Sequence, residues 1–195
     1  MTAPITHPST PAPGSSLRSS DRHVEAALGH MMVVGGTFRD WADLGDERWQ
    51  QRVAELGAVV DTVGGTWLTL RAYELGDEPP ELEPWHRQVD HCEVIVDPCA
   101  DGRRRFAEVM SRLDPTVEVN EVTVATSLYE PADCEPDLVL ILGPSTQLPP
   151  SLVWELAYAE LVFVEIAWHE LAPVHLERAI DDFASRRRRF GGLDP

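Results

Sequence analysis

The chain has 195 residues, enough for one domain, and its 43% hydrophobic content suffices for a packed core. Acidic side chains number 33 against 16 basic ones, a formal net charge of −17. Such a surface repels phosphates, which argues against nucleic acid or an anionic membrane as a general partner.

Residues 1–20 are rich in Pro, Ser and Thr without the apolar segment of a signal peptide, and read as a disordered tail ahead of one domain over 21–195. After this tail, short β-rich runs alternate with amphipathic segments. "MMVVG" (31–35) is a short strand ending in glycines. "ERWQQRVAELGAVVDTVG" spaces Trp49, Val53, Leu56, Val60 and Val63 as a helix does. "WLTLRAY" (67–73) has strand propensity, and "GDEPPELEPW" is a polar connection. "CEVIV" is a strand and "GRRRFAEVMSRL" an Arg-rich helix. "EVNEVTVATSLY" alternates like a half-exposed strand, and "LVLIL" (138–142) is an unbroken apolar run of the kind found in parallel strands covered on both faces. "SLVWELAYAEL" reads as helix, "VFVEI" as strand, and "PVHLERAIDDFASRRRRF" as a closing helix with Pro at its start. The order defines an α/β domain with a mostly parallel central sheet flanked by helices. Ligand sites in such sheets lie beyond the strands' carboxyl ends, here the loops after Gly35, Tyr73 and Leu142.

Three carboxylates interrupt apolar sequence at Glu155, Glu160 and Glu165, and each needs water, an opposite charge or a metal. Cys92, Cys99 and Cys134 have no metal-pair spacing, and an odd count fits a reducing, cytoplasmic setting. No apolar run reaches the length of a membrane span. The histidines, among them His23, His30, His86, His91, His169 and His175, show no paired spacing on one face.

"PDLVLIL", "LVWELAYAELVFVEIAW" and "RRRRFGGL" follow one another in an order and spacing that resemble the cis-prenyltransferases, the family of undecaprenyl diphosphate synthase. "HMMVVGGTFRDWA" resembles, more loosely, that family's His-x-x-x-x-Met-Asp-Gly-Asn-x-Arg-Trp-Ala, and "LTLRAY" its Leu-Thr-Leu-Tyr-Ala-Phe. The resemblance implies an α/β fold of that type and the condensation of isopentenyl diphosphate with an allylic diphosphate. Magnesium and arginines would neutralise the diphosphate leaving group. It places Glu160 at the family's magnesium-binding glutamate, an oxygen ligand suited to a hard cation. Glu155 falls where the family has Gln, and is expected to be solvated; Glu165 is expected at a strand's exposed end.

The departures from the pattern are specific. Gly36, Thr37 and Phe38 stand at Asp-Gly-Asn, so the metal carboxylate is missing, and Asp40 could replace it only in a rebuilt loop. Ile141 and Gln147 stand where two arginines bind the second diphosphate, and Ser145 where a Glu belongs. The segment between Tyr73 and "PDL" is shorter than the family's, with no sign of the helices that wall its product tunnel. One element survives: Arg189-Phe190-Gly191 matches the Arg-x-Gly tail that reaches into the partner's site in family dimers. As plain structure, Arg186 to Arg189 would complement a helix dipole and Gly191 would end the helix. Arg103, Arg104 and Arg105 lie near the family's Gly-Gly-Arg turn. Trp154, Tyr158, Phe163 and Trp168 match positions in the packing core or near the dimer contact.

This combination resembles the accessory subunits of heteromeric cis-prenyltransferases, of which the Nogo-B receptor is the eukaryotic example. It implies a chain inactive alone, a catalytic cis-prenyltransferase partner, and magnesium held mainly by that partner. The alternative is a divergent homodimer making a short prenyl diphosphate with Glu160, Asp40 and the amides of Gly35 and Gly36, since glycine-rich loops can cradle phosphate.

Overall fold

The computed structural model describes residues 28–73 and 83–190, apart from the side chains of residues 187–190. The expected tail over residues 1–20 lies outside the described residues.

Six strands form one sheet in the order β3-β4-β2-β1-β5-β6. In chain order they are β1 (His30–Val34), β2 (Trp67–Arg71), β3 (Trp85–Val89), β4 (Cys92–Asp97), β5 (Leu138–Leu142) and β6 (Glu160–Val164). All neighbouring pairs are parallel except the β3–β4 hairpin. The strands β1 and β5 are buried along their whole length, as the unbroken apolar runs require.

The helices α1 (Phe38–Ala42), α2 (Asp46–Thr62), α3 (Gly102–Arg112), α4 (Glu121–Tyr129) and α5 (Pro173–Phe190) complete the layers. On one face Met31, Val33, Leu68, Leu70 and Leu140 join Leu56 and Val60 of α2 and Leu176 and Phe183 of α5 in a single core. On the other, Met32, Val34, Ile95, Val139 and Ile141 meet Val124, Leu128 and Tyr129 of α4. The period-2 alternation of each strand thus feeds two cores, one on each face.

Three readings need correction. The strand expected over residues 118–129 is not formed; Glu121–Tyr129 are the helix α4, capped by Asn120. Asn120 accepts from Thr123 N at 3.0 Å while the Thr123 hydroxyl accepts from Asn120 N at 3.0 Å, a reciprocal cap. Val124, Ala125, Leu128 and Tyr129 then face the core at helical spacing, leaving Val122 exposed. Residues 151–161 are not a helix beyond a single 3-10 turn at Glu155–Ala157. The β5 ladder claims Glu160 to Val164, and the Glu155 side chain turns inward, accepting from Val153 N at 3.2 Å. The strand expected at 162–166 consequently begins two residues earlier. The edge strand β3 (Trp85–Val89) is additional; its "WHRQV" is mostly exposed and carries no apolar pattern.

Among the described residues, no helix is long and apolar enough to cross a membrane.

Candidate functional site

The loop after β1 is built around Gly35 and Gly36. Gly36 has φ +72°, and a Cβ there would sit 2.8 Å from the Trp168 ring. A Cβ on Gly35 would meet the Leu142 side chain at 2.6 Å. Both positions therefore require glycine, the first also for its backbone conformation. Trp168 stacks on Trp41 with ring centroids 5.4 Å apart, and Arg52 lies over its other surroundings, 5.0 Å from the ring centroid and donating to its carbonyl at 2.7 Å. The Trp41 indole N–H donates to Gly35 O at 2.9 Å. Aromatic packing fills the space beside Gly36. Phe38, in the place of the family's Asn, is buried in the same core.

Asp40 is committed elsewhere. Its carboxylate accepts from Thr37 N at 2.8 Å and from the Thr37 hydroxyl at 2.9 Å, closing a capping box on α1. In the loop after β5, Ile141 is fully buried, while Ser145 and Gln147 are exposed. The Tyr73 hydroxyl donates to Gln147 O at 3.4 Å.

A different constellation occupies the carboxyl ends of β2 and β4. Arg71 and Asp97 are cross-strand neighbours in register. Arg71 Nε donates to Asp97 Oδ2 at 3.1 Å and Nη1 to Glu155 Oε1 at 2.6 Å. All three side chains are less than a tenth exposed. From α3, Arg105 donates to Asp97 Oδ2 and to the Leu128 carbonyl. The result is a buried chain, Glu155–Arg71–Asp97–Arg105, with two charges of each sign. Burial alone would lower the Arg71 pKa, but Asp97 and Glu155 outweigh it and raise it. Burial would raise that of Glu155, yet Arg71 holds it below the ordinary carboxylate value. The Tyr129 hydroxyl lies beside Glu155, outside regular hydrogen-bond alignment, and burial pushes its pKa up.

Glu155 is therefore not solvated, as its sequence position suggested; it is one end of this network. The solution needed a cation in "LTLRAY", and Arg71 stands where the family has Tyr. Glu165 is exposed, as expected.

Above the network opens a cavity of about 990 Å³ between β2, β4, α3 and the end of α4. Thr69, Arg71 and Asp97 line it from the sheet, and Arg104, Arg105 and Val109 from α3. The sequence pointed to this end of the sheet, through the loop after Tyr73, but named neither Arg71 nor Asp97 as part of a site. The available signal was three lone charges, Arg71, Asp97 and Glu155, in otherwise apolar runs.

Glu160 is the first residue of β6, and its N–H bonds to Asp137 O at 2.9 Å. Gly36 follows the carboxyl end of β1, so a strand length of about 16 Å separates the two sheet edges. Within one chain they cannot share an ion. Arg186 Nη1 lies 3.0 Å from Glu160 Oε1. Among the described residues no group of three or more His, Cys, Asp or Glu is disposed to hold a metal. The site residues of this chain do not fit magnesium on their own: the carboxylate position is Gly36, Asp40 caps a helix and Glu160 pairs with an arginine.

Of the aromatic candidates, Trp168 is 3% exposed and belongs to the core. Trp154 stacks on Phe106 and donates to Glu135 at 2.9 Å. Phe163 is half-buried on the edge strand β6, and Tyr158 is 80% exposed. The Arg189 side chain and Gly191 lie outside the described residues.

The sheet order and its two helical layers define an α/β domain of the undecaprenyl diphosphate synthase type. The crystal structure of a probable undecaprenyl diphosphate synthase from Campylobacter jejuni matches with a TM-score of 0.55 at 19% identity, over 80% of this chain and 95% of that one. At such identity the likeness concerns the fold alone. A family model described as putative undecaprenyl diphosphate synthase matches residues 95–191. The chain is 44% identical over 100 residues to isoprenyl transferase 1 of Streptomyces coelicolor, covering 49% of this chain and 35% of that protein. It is 34% identical over 103 residues to a di-trans,poly-cis-undecaprenyl-diphosphate synthase of Giardia intestinalis, covering 52% and 38%. These matches place residues 95–191 in the cis-prenyltransferase family. The matched part spans little more than a third of the length of either relative.

Proposed function

We propose that this chain is an accessory, catalytically incompetent subunit of a heteromeric cis-prenyltransferase. It supports a catalytic partner that condenses isopentenyl diphosphate with an allylic diphosphate, and supplies Arg189 and Gly191 in trans. The observation that carries this reading is the loop after β1, where the metal carboxylate's position is Gly36, closed over by Trp168. Loss of arginines at Ile141 and Gln147 supports it, since each charged hydrogen bond to a diphosphate contributes roughly 1.5–3 kcal/mol. Magnesium is then held mainly by the partner.

The purified chain is expected to show no elongation of farnesyl or geranyl diphosphate with isopentenyl diphosphate and magnesium in a radiolabelled assay. Steady turnover by the lone protein would instead support the divergent homodimer. Gly36→Asp is expected to restore nothing. The substitution brings a Cβ against Trp168 at a positive φ, with a stability loss of about 1–3 kcal/mol.

Exposure supports β6 and its flank as the mating surface. β6 is an edge strand with apolar Leu161, Val162, Phe163 and Val164 all half-buried, and Leu156 and Tyr158 beside it are exposed. An apolar edge of this kind is an association site unless something covers it. In a complex with its partner, Arg189→Ala is expected to leave assembly intact while turnover falls roughly 10–1,000-fold, the effect of a lost charged contact. Arg187→Ala serves as the control and leaves turnover unchanged. A chain that sediments as a monomer beside every candidate sibling enzyme sinks the accessory reading.

A further inference from the structure

Glu160 stands where the resemblance expects a magnesium ligand, and its surroundings give it a different task. Strand pairing fixes its backbone: it opens β6 opposite Leu138, with its N–H bonded to Asp137 O. The side chain is 23% exposed, and Oε1 is closed to solvent without an aligned hydrogen bond. What covers it is the Arg186 guanidinium, with Nη1 3.0 Å away, so the contact is one of charge. Magnesium keeps several waters and needs further oxygens in octahedral array. An ion at this oxygen would have to displace the arginine, and among the described residues no acidic group of three stands ready to receive it.

The other side of the contact is the end of α5. Leu176, Ala179, Ile180 and Phe183 seat this helix in the core at the spacing of one helical face. Among the described residues of α5 beyond Phe183, none is buried. Arg186 follows one turn later on the same side, and its planar fork is divided between two partners. Nη2 donates to Asp182 Oδ2 at 2.5 Å, one turn back on α5, while Nη1 faces Glu160 on the sheet. Position 189 lies three residues further, about 4.5 Å along the axis and on that same side of the helix. Whatever holds Arg186 therefore sets the direction in which α5 presents position 189.

We propose that Glu160 is a positioning residue, not a magnesium ligand: through Arg186 it anchors the last turn of α5 and aims Arg189 at the partner's site. The use of Arg189 in trans rests on the accessory reading; the anchoring itself does not.

The test begins with backbone amide exchange of the full chain alone. Glu160→Gln is expected to speed exchange at residues 187–190 by roughly threefold or more, the effect of losing a partly exposed ion pair, and to leave residues 176–183 unchanged. Magnesium chloride in millimolar excess leaves the wild-type tail as slow as before, whereas an ion that took Glu160 from Arg186 would speed it. In the complex with its catalytic partner, Glu160→Gln assembles normally and lowers turnover roughly 3–30-fold, as a misaimed contact does. The half-saturating magnesium concentration stays where it was. Adding Glu160→Gln to Arg189→Ala lowers turnover no further than Arg189→Ala alone, because both changes act through one side chain. Unchanged tail exchange in Glu160→Gln, a wild-type tail loosened by magnesium, a raised magnesium requirement, or losses that multiply in the double variant would each overturn the proposal. Full turnover by Arg189→Ala would instead sink the trans role of the tail, and the exchange measurement would still decide the anchor.

Discussion

Arg71→Met lowers the stability of the domain by roughly 3–5 kcal/mol, read as a fall in urea midpoint at unchanged m-value. The magnitude follows from what is left behind rather than from the contact removed. Asp97 keeps Arg105, but Glu155 keeps only neutral neighbours, Val153 N and the Tyr129 hydroxyl, and becomes a carboxylate without a counter-charge at 5% exposure. Neutralising it should therefore restore what the first change lost. The double variant Arg71→Met with Glu155→Gln leaves Asp97 and Arg105 as an intact pair and is expected to recover most of the stability. Buried ion pairs replaced on both sides are often close to neutral, whereas those broken on one side are not. A single variant losing less than about 1 kcal/mol would mean water reaches the network, and the cavity floor would need another description.

The same network shows where sequence reading stopped. The strands of the sheet's centre were legible because runs such as "LVLIL" have one physical use, burial on both faces. The helices α2, α3 and α5 were legible from apolar spacing and end signals. Residues 118–129 were not, because Val117, Val119, Val122 and Val124 mimic alternation while the decisive Asn120–Thr123 cap is a local hydrogen bond. Residues 151–161 misled for the opposite reason. Their apolar spacing suits a helix, but the destination of Glu155 is Arg71, 84 positions away.

For the candidate site, the missing carboxylate at Gly36 was visible by alignment of Trp41 and Ala42 with the family motif. That Trp168 closes the space beside it was not, since 132 residues separate the two (168 − 36). The cavity is a purely tertiary feature: its walls come from five separate segments, around Phe38, Arg71, Trp85, Asp97 to Arg112 and Tyr129.

Acid sensitivity between neutrality and pH 5 is expected to come from His30. The ring is fully buried, with Nδ1 2.9 Å from Cys134 O and Nε2 2.9 Å from Thr69 Oγ1. A carbonyl only accepts, so Nδ1 carries the proton and the neutral ring accepts from the Thr69 hydroxyl through Nε2. Burial is the largest influence and, with Arg71 adding to it, brings the pKa from 6.5 down to about 4, although the Cys134 carbonyl, Asp137 and Glu155 pull the other way. The folded state thus refuses a proton that the unfolded chain accepts. Stability contributed by the neutral ring is complete above pH 6.5 and declines as pH falls toward 4. Between pH 7 and 5 the loss is about 2 kcal/mol, before most carboxylates begin to titrate. Urea midpoints measured across that interval should fall for the wild type and stay flatter for His30→Gln, whatever the variant's absolute stability. Parallel curves for the two proteins would place the titrating group elsewhere.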